Sequence, residues 1–178
     1  MSWEHELFAL FDDLEGQASA AFEEDREAEL ADRARAEYGA VTLASRLMAS
    51  RGRDVALDLP HIGRVEGSLD RVGDGWCLLS GAGQDWVVPL SAIAAVHGAS
   101  GRSVPEVAWS AMDRLSLRSA LRRLADADER CLVHLVDGTR HEAYVQRVGA
   151  DFLEVRGARG ERLLLPYASL VAVQSRED

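Results

Sequence analysis

The sequence contains no lysine: all 20 basic residues among its 178 are arginine. A high-GC genome favours arginine codons, which accounts for the bias without invoking function. Selection for bidentate phosphate or carboxylate contacts is the functional alternative. The 2 cysteines, Cys77 and Cys131, show no C-x-x-C spacing and sit in apolar, strand-like surroundings. They read as buried free thiols in a reducing compartment rather than a disulfide framework. With 4 prolines there is no long Pro-rich linker. No stretch approaches the roughly 20 apolar residues of a membrane-spanning helix. The N-terminus is acidic and lacks the basic and apolar regions of a secretory signal, so the expected location is cytoplasmic.

Catalytic signatures are absent too. There is no G-x-S-x-G, no G-x-x-x-x-G-K phosphate loop and no H-E-x-x-H. His5, His61, His97, His134 and His141 bring no placed carboxylate or thiolate with them, which makes a poor zinc set. His134 and His141 straddle a hairpin and could approach each other. A basic excess is also missing: the net charge is −10. Residues 1–50 hold 12 acids and 4 arginines, and residues 51–178 hold 18 acids and 16 arginines. A nucleic-acid-binding protein ordinarily carries a basic footprint.

What is present is a globular composition, 47% hydrophobic and 28% charged. Trp3, Leu7, Leu10, Phe11 and Leu14 fall at helical spacing, with Glu4, Glu6, Asp12, Asp13 and Glu15 on the other face. Gly16 is a candidate end or bend. A second helical stretch runs from about Ala18 to Met48, with Leu30, Ala34, Tyr38, Val41 and Met48 as its apolar stripe. Two helices in a hairpin and one long bent helix both fit.

From residue 54 the period changes from helical to strand-like. Val55, Leu57 and Leu59 alternate with polar or small residues, as do Val65, Gly67 and Leu69. Trp76–Leu79, Trp86–Val88 and Ile93–Val96 follow, separated by glycine turns such as Gly73-Asp74-Gly75. Five short strands in about 45 residues is the rhythm of a small barrel. The rhythm returns after residue 130. Arg71-Val72-Gly73 matches Arg147-Val148-Gly149 at an offset of 76 residues, and Trp76 then falls on Phe152. After one inserted residue the offset is 77, and Val88, Pro89 and Val96 meet Leu165, Pro166 and Val173. This is an internal duplication. A helix precedes each copy, the second marked by Leu117, Leu121 and Leu124. The expected layout is an acidic helical segment (1–50), a first small β-barrel repeat (51–98), a connection with an arginine-bearing helix (99–129) and a second small β-barrel repeat (130–175).

Helix plus five bent strands resembles the Sm-like form of the SH3-like barrel. His134-Leu135-Val136-Asp137-Gly138-Thr139 is similar to the hydrophobic-x-Asp-Gly hairpin of the first Sm motif, with Phe152 at its aromatic position. The resemblance implies an α+β fold of N-terminal helices and two tandem five-stranded barrels. It does not carry the RNA site, because Gly149–Glu154 lacks the motif's Asn and Pro166-Tyr167-Ala168-Ser169 replaces the second motif. The start Trp3–Leu14 and the linker Gly101–Trp109 resemble a protein group of high-GC Gram-positive bacteria, some of whose members bear a Fis-family regulator label. Fis proteins end in a helix-turn-helix, whereas residues 162–174 here are strand-like.

Two sets of residues remain as candidates. Trp3, Leu7, Phe8 and Phe11 form an aromatic stripe that either packs on the barrels or anchors a partner protein. Arg114, Arg118 and Arg122, with Arg123 beside them, follow i, i+4, i+8 and would share one helix face, either a solvated face paired with Asp126, Asp128 and Glu129 or with the acidic N-terminal helix, or a phosphate-contacting stripe. The reading of function is a non-enzymatic protein-interaction or scaffold module with a protein partner or self-association. The alternative is a nucleic-acid-associated regulator. No catalytic residue, metal, cofactor, membrane contact or small-molecule substrate is implied.

Overall fold

The computed structural model describes the backbone of residues 3–175, and the side chains of these residues except 4–12, 18–21 and 24–25. It divides into two compact units, residues 1–41 and 42–178. The first is one helix, α1 (Trp3–Gly39), 37 residues long, or about 55 Å at the usual rise. It runs through Gly16 without a break. Its apolar residues do not line up as one stripe. Leu14, Phe22, Leu30 and Tyr38 recur every eight residues, so each lies about 80° further round than the last. Its described side chains are exposed, including Trp3 at 71% and Phe22 at 70%.

The second unit opens with the short helix α2 (Leu43–Met48). A capping box starts it: Ser45 N donates to Thr42 Oγ1, and Thr42 N donates to Ser45 Oγ, both at 3.1 Å. The reciprocal bonds satisfy two amides that a helix start leaves unpaired. Ten strands and one helix follow: β1 (Asp54–Leu59), β2 (Gly63–Gly73), β3 (Trp76–Gly81), β4 (Gln84–Pro89), β5 (Ala95–His97), α3 (Leu117–Ala127), β6 (Arg130–Leu135), β7 (Arg140–Val148), β8 (Phe152–Gly157), β9 (Arg162–Pro166) and β10 (Leu170–Ser175).

The duplication holds strand by strand. In the first half β1 sets Leu57 opposite Val96, and in the second β6 sets Val133 opposite Val173. The β2–β3 ladder shifts register between Leu69 and Arg71, and the β7–β8 ladder shifts between Val145 and Arg147, 76 residues on. The recurring glycine and aromatic have a steric cause. A Cβ on Gly73 would strike the Trp76 ring, and one on Gly149 would strike the Phe152 ring.

The expected pair of barrels is corrected by the strand order. All ten strands form one open antiparallel sheet, β5-β1-β2-β3-β4-β10-β6-β7-β8-β9. Within a half, the fifth strand pairs with the first, and no ladder closes it onto the fourth. β10 instead pairs on its other side with β4, setting Val173 opposite Val87 and Gln174 opposite Trp86. That cross-half ladder fuses two five-stranded units edge to edge. The α+β description with N-terminal helices ahead of two barrels gives way to a large sheet with few helices.

The core follows the fusion. One cluster forms around Leu57, Leu69, Leu79 and Val88 and takes in Val171 and Ala172 from the second half. The other forms around Val133, Val145, Leu153 and Val155 and takes in Trp76 and Val87 from the first. Apolar burial is worth roughly 25 cal/mol per Å², so this exchange ties the halves into one cooperative body. Leu121 is fully buried beneath α3, with Leu117 and Leu124 packed beside it, as the stripe anticipated.

Candidate interaction surfaces

A groove of about 770 Å³ opens where the two halves meet, between α3 and one face of the sheet. Trp76, Leu78, Val87, Leu124 and Val173 contribute its apolar lining. Trp76 is fixed by its Nε1–H, which donates to Leu115 O at 2.7 Å. Arg71, Arg122 and Arg123 stand on the rim, as do Asp126 and Glu129. Two further rim acids are already engaged. Asp113 accepts from Arg51 Nη1 at 2.8 Å and from Ser110 Oγ at 2.7 Å, and Asp85 accepts from Ser80 Oγ at 2.6 Å. The Ser110 hydroxyl, ahead of the nearby arginines, holds the Asp113 carboxyl below the ordinary carboxylate range.

The groove contains a thiol, Cys131, whose pKa burial pushes up to about 11. Burial likewise pushes Cys77 up to about 12. Both are free thiols and buried, and at neutral pH neither is the thiolate that nucleophilic chemistry needs.

The arginine stripe is divided by the fold. α3 begins at Leu117, after the extended Leu115-Ser116 step, so Arg114 lies in a separate short 3-10 turn. Its guanidinium donates to Glu106 O at 3.2 Å. Arg118 and Arg122 both act on the Tyr167 hydroxyl, lowering its pKa, but burial dominates and raises it. Arg118 is half-buried and its Nε finds no hydrogen-bond partner among the described residues. Arg122 and Arg123 are exposed on the groove rim. Arg114 therefore lies off the helix that carries Arg118, Arg122 and Arg123.

The histidines are separated as well. The register sets His141 opposite Val133 and His134 opposite Arg140, so the two rings lie on opposite faces of the sheet. His134, 5% exposed, sits at the junction of the halves. Its ring packs against Trp86, tilted by 30° with the ring centres 5.5 Å apart. His134 Nε2 lies 2.9 Å from Gln174 Oε1, and Gln174 Nε2 donates to Gln84 Oε1 at 2.5 Å. The acceptor role of Gln174 Oε1 assigns the proton to Nε2 of the ring. Burial lowers the His134 pKa below its ordinary value. This junction network was not foreseen from the sequence, where His134 read only as one of two histidines straddling a hairpin.

At the far edge of the first half, Asp58, Arg64 and His97 form an exposed cluster. Asp58 accepts from Arg64 Nε at 2.8 Å and Nη2 at 3.2 Å, and its Oδ2 lies 2.8 Å from His97 Nε2. The Arg64 guanidinium, then the His97 ring, hold the Asp58 carboxyl far below the usual range. Among the described residues no group of three His, Cys, Asp or Glu side chains is arranged to hold a metal ion. No described helix is long and apolar enough to cross a membrane.

Of the aromatic N-terminal stripe, Trp3 is exposed, while the side chains of Leu7, Phe8 and Phe11 lie outside the described residues. Phe22, Leu30 and Tyr38, at 70%, 55% and 66% exposure, extend the exposed apolar set along α1. No protein-family model matches the chain, and no curated protein matches it.

Proposed function

We propose that the protein is a non-enzymatic interaction module whose acidic helix α1 docks on a partner protein with a basic, apolar-lined surface. One observation carries the reading: a 37-residue helix leaves Trp3, Leu14, Phe22, Leu30 and Tyr38 exposed. An isolated helix draws most of its stability from tertiary packing of an apolar face, and the described apolar side chains of α1 are exposed on several sides of the helix, so a partner that packs on more than one side would supply what the helix lacks. The partner's charge follows from α1 itself, with 12 acids against 3 arginines between residues 3 and 39. Complementary charge steers encounter and selects the partner. Two neutral, buried thiols and a divided arginine row favour this reading over a reactive site or a nucleic-acid scaffold.

The test is photocrosslinking in the native cells from a reactive residue placed at Phe22. A defined basic protein should be captured after nuclease treatment. The capture should be lost in the Glu27→Arg, Glu29→Arg variant. Crosslinks mainly to nucleic acid, or capture indifferent to the charge reversal, would instead support the regulator reading and count against this one.

A further inference from the structure

The ten-strand sheet has two free ends, and the duplication gives each a counterpart inside the molecule. β9, the fourth strand of the second half, pairs only with β8 among the described residues. β5, the fifth strand of the first half, pairs only with β1 among the described residues. Their counterparts are β4 and β10, the two strands that pair to join the halves. We infer that β9 of one copy pairs antiparallel with β5 of a second copy, repeating between molecules the junction already made within one.

The offset of 77 fixes the register. Val87 opposite Val173 becomes Leu164 opposite Val96, and Trp86 opposite Gln174 becomes Leu163 opposite His97. Exposure changes as this predicts. Val87 and Val173, which the junction brings into one core cluster, are 7% and 3% exposed, whereas Leu164 is 65% exposed and Val96 is half-exposed. An apolar side chain on an unpaired edge strand is the feature that natural sheets ordinarily avoid.

At the inner junction Gln84 bonds Gln174; at the outer one the same positions are Glu161 and His97. His97 lies 2.9 Å from Arg64 Nη2 and 2.8 Å from Asp58 Oδ2, so Glu161 of one copy would meet a mixed cluster in which Asp58 already pairs with Arg64, and the pairing rests on the register and the apolar residues rather than on charge. The contact joins unlike edges, so each added copy leaves another pair free, and the product is a closed ring or a chain.

Cysteine pairing in the full-length protein tests the register directly. Residues directly opposite on antiparallel strands bring their Cβ atoms to roughly 4.5–5.5 Å, close enough for a disulfide or a short bis-maleimide bridge. Cys77 and Cys131 are buried and hold their protons at neutral pH, so they stay out of the reaction. A mixture of Val96→Cys and Leu164→Cys chains should give a mixed covalent dimer, and the double variant should give higher species. Sedimentation over a concentration series should show wild-type mass rising. Leu164→Glu, an exposed position that folding tolerates, should weaken association at least about tenfold. No coupling at any concentration, or each single variant coupling to itself as readily as to the other, would overturn the inference. Association through α1 is distinguished from it, because that would survive Leu164→Glu and give no bond between positions 96 and 164.

Discussion

His134 shows how a single side chain ties the two halves together. It is buried against Trp86 and linked through Gln174 to Gln84. Its folded-state pKa lies below the ordinary 6.5, so the unfolded chain takes up a proton more readily. The stability held above about pH 6.5 therefore falls as acidification passes through that value toward the folded pKa. Melting followed from pH 7.5 to pH 5.5 should show this loss, and His134→Gln should flatten the profile. A slope unchanged in the variant would place the titration elsewhere. Gly149 offers a second residue-scale test. A methyl there meets the Phe152 ring, so Gly149→Ala should cost about 1–3 kcal/mol by overpacking, measured by chemical denaturation. The Arg-Val-Gly repeat was legible in the sequence because this contact sets a glycine against an aromatic ring in both copies, Trp76 in the first and Phe152 in the second. The burial of His134 was not, because an alternating strand pattern assigns faces within one hairpin and cannot say what covers them.

At the scale of elements, the strands and their turns were readable from alternation and glycine. The two helical regions were readable too, but their bounds were not. Ser116 at the start of α3 is an ordinary N-cap residue, yet the regular spacing of Arg114, Arg118 and Arg122 suggested a helix running through it. The fold places Arg114 one turn too early to join that face. The packed side of α3 is Leu121, fully buried, and Leu121→Ala should destabilise the sheet by about 2–5 kcal/mol. The behaviour of α1 should be the opposite. Phe22→Ser and Leu30→Ser together should abolish partner capture and leave the melting of the sheet unchanged, which circular dichroism at strand wavelengths can check. A large drop in sheet stability would show that these side chains serve the fold instead.

The whole molecule turns on a choice between closure and fusion. Each half carries five strands in the same order and register, and local patterning describes both equally well. Nothing in the residues of β4 or β10 taken alone says whether a half closes on itself or pairs with its neighbour, since both outcomes bury alternate apolar side chains. The decision rests on a non-local ladder between residues some 90 positions apart, as the Asp85 to Ser175 bond illustrates, and such pairings leave no local signal. The exchange of Trp76 and Val87 for Val171 and Ala172 between the two cores follows from that ladder. So does the exposure of β5 and β9 at the ends. The deciding measurement is a search for cross-strand nuclear Overhauser effects in isotope-labelled full-length protein. One continuous sheet requires contacts between the backbone protons of Val87 and Val173 and between those of Trp86 and Gln174, with the neighbouring ladder amides slow to exchange. Their absence, with contacts between β4 and β5 and between β9 and β10 in their place, would mean two closed barrels and would contradict the fused sheet.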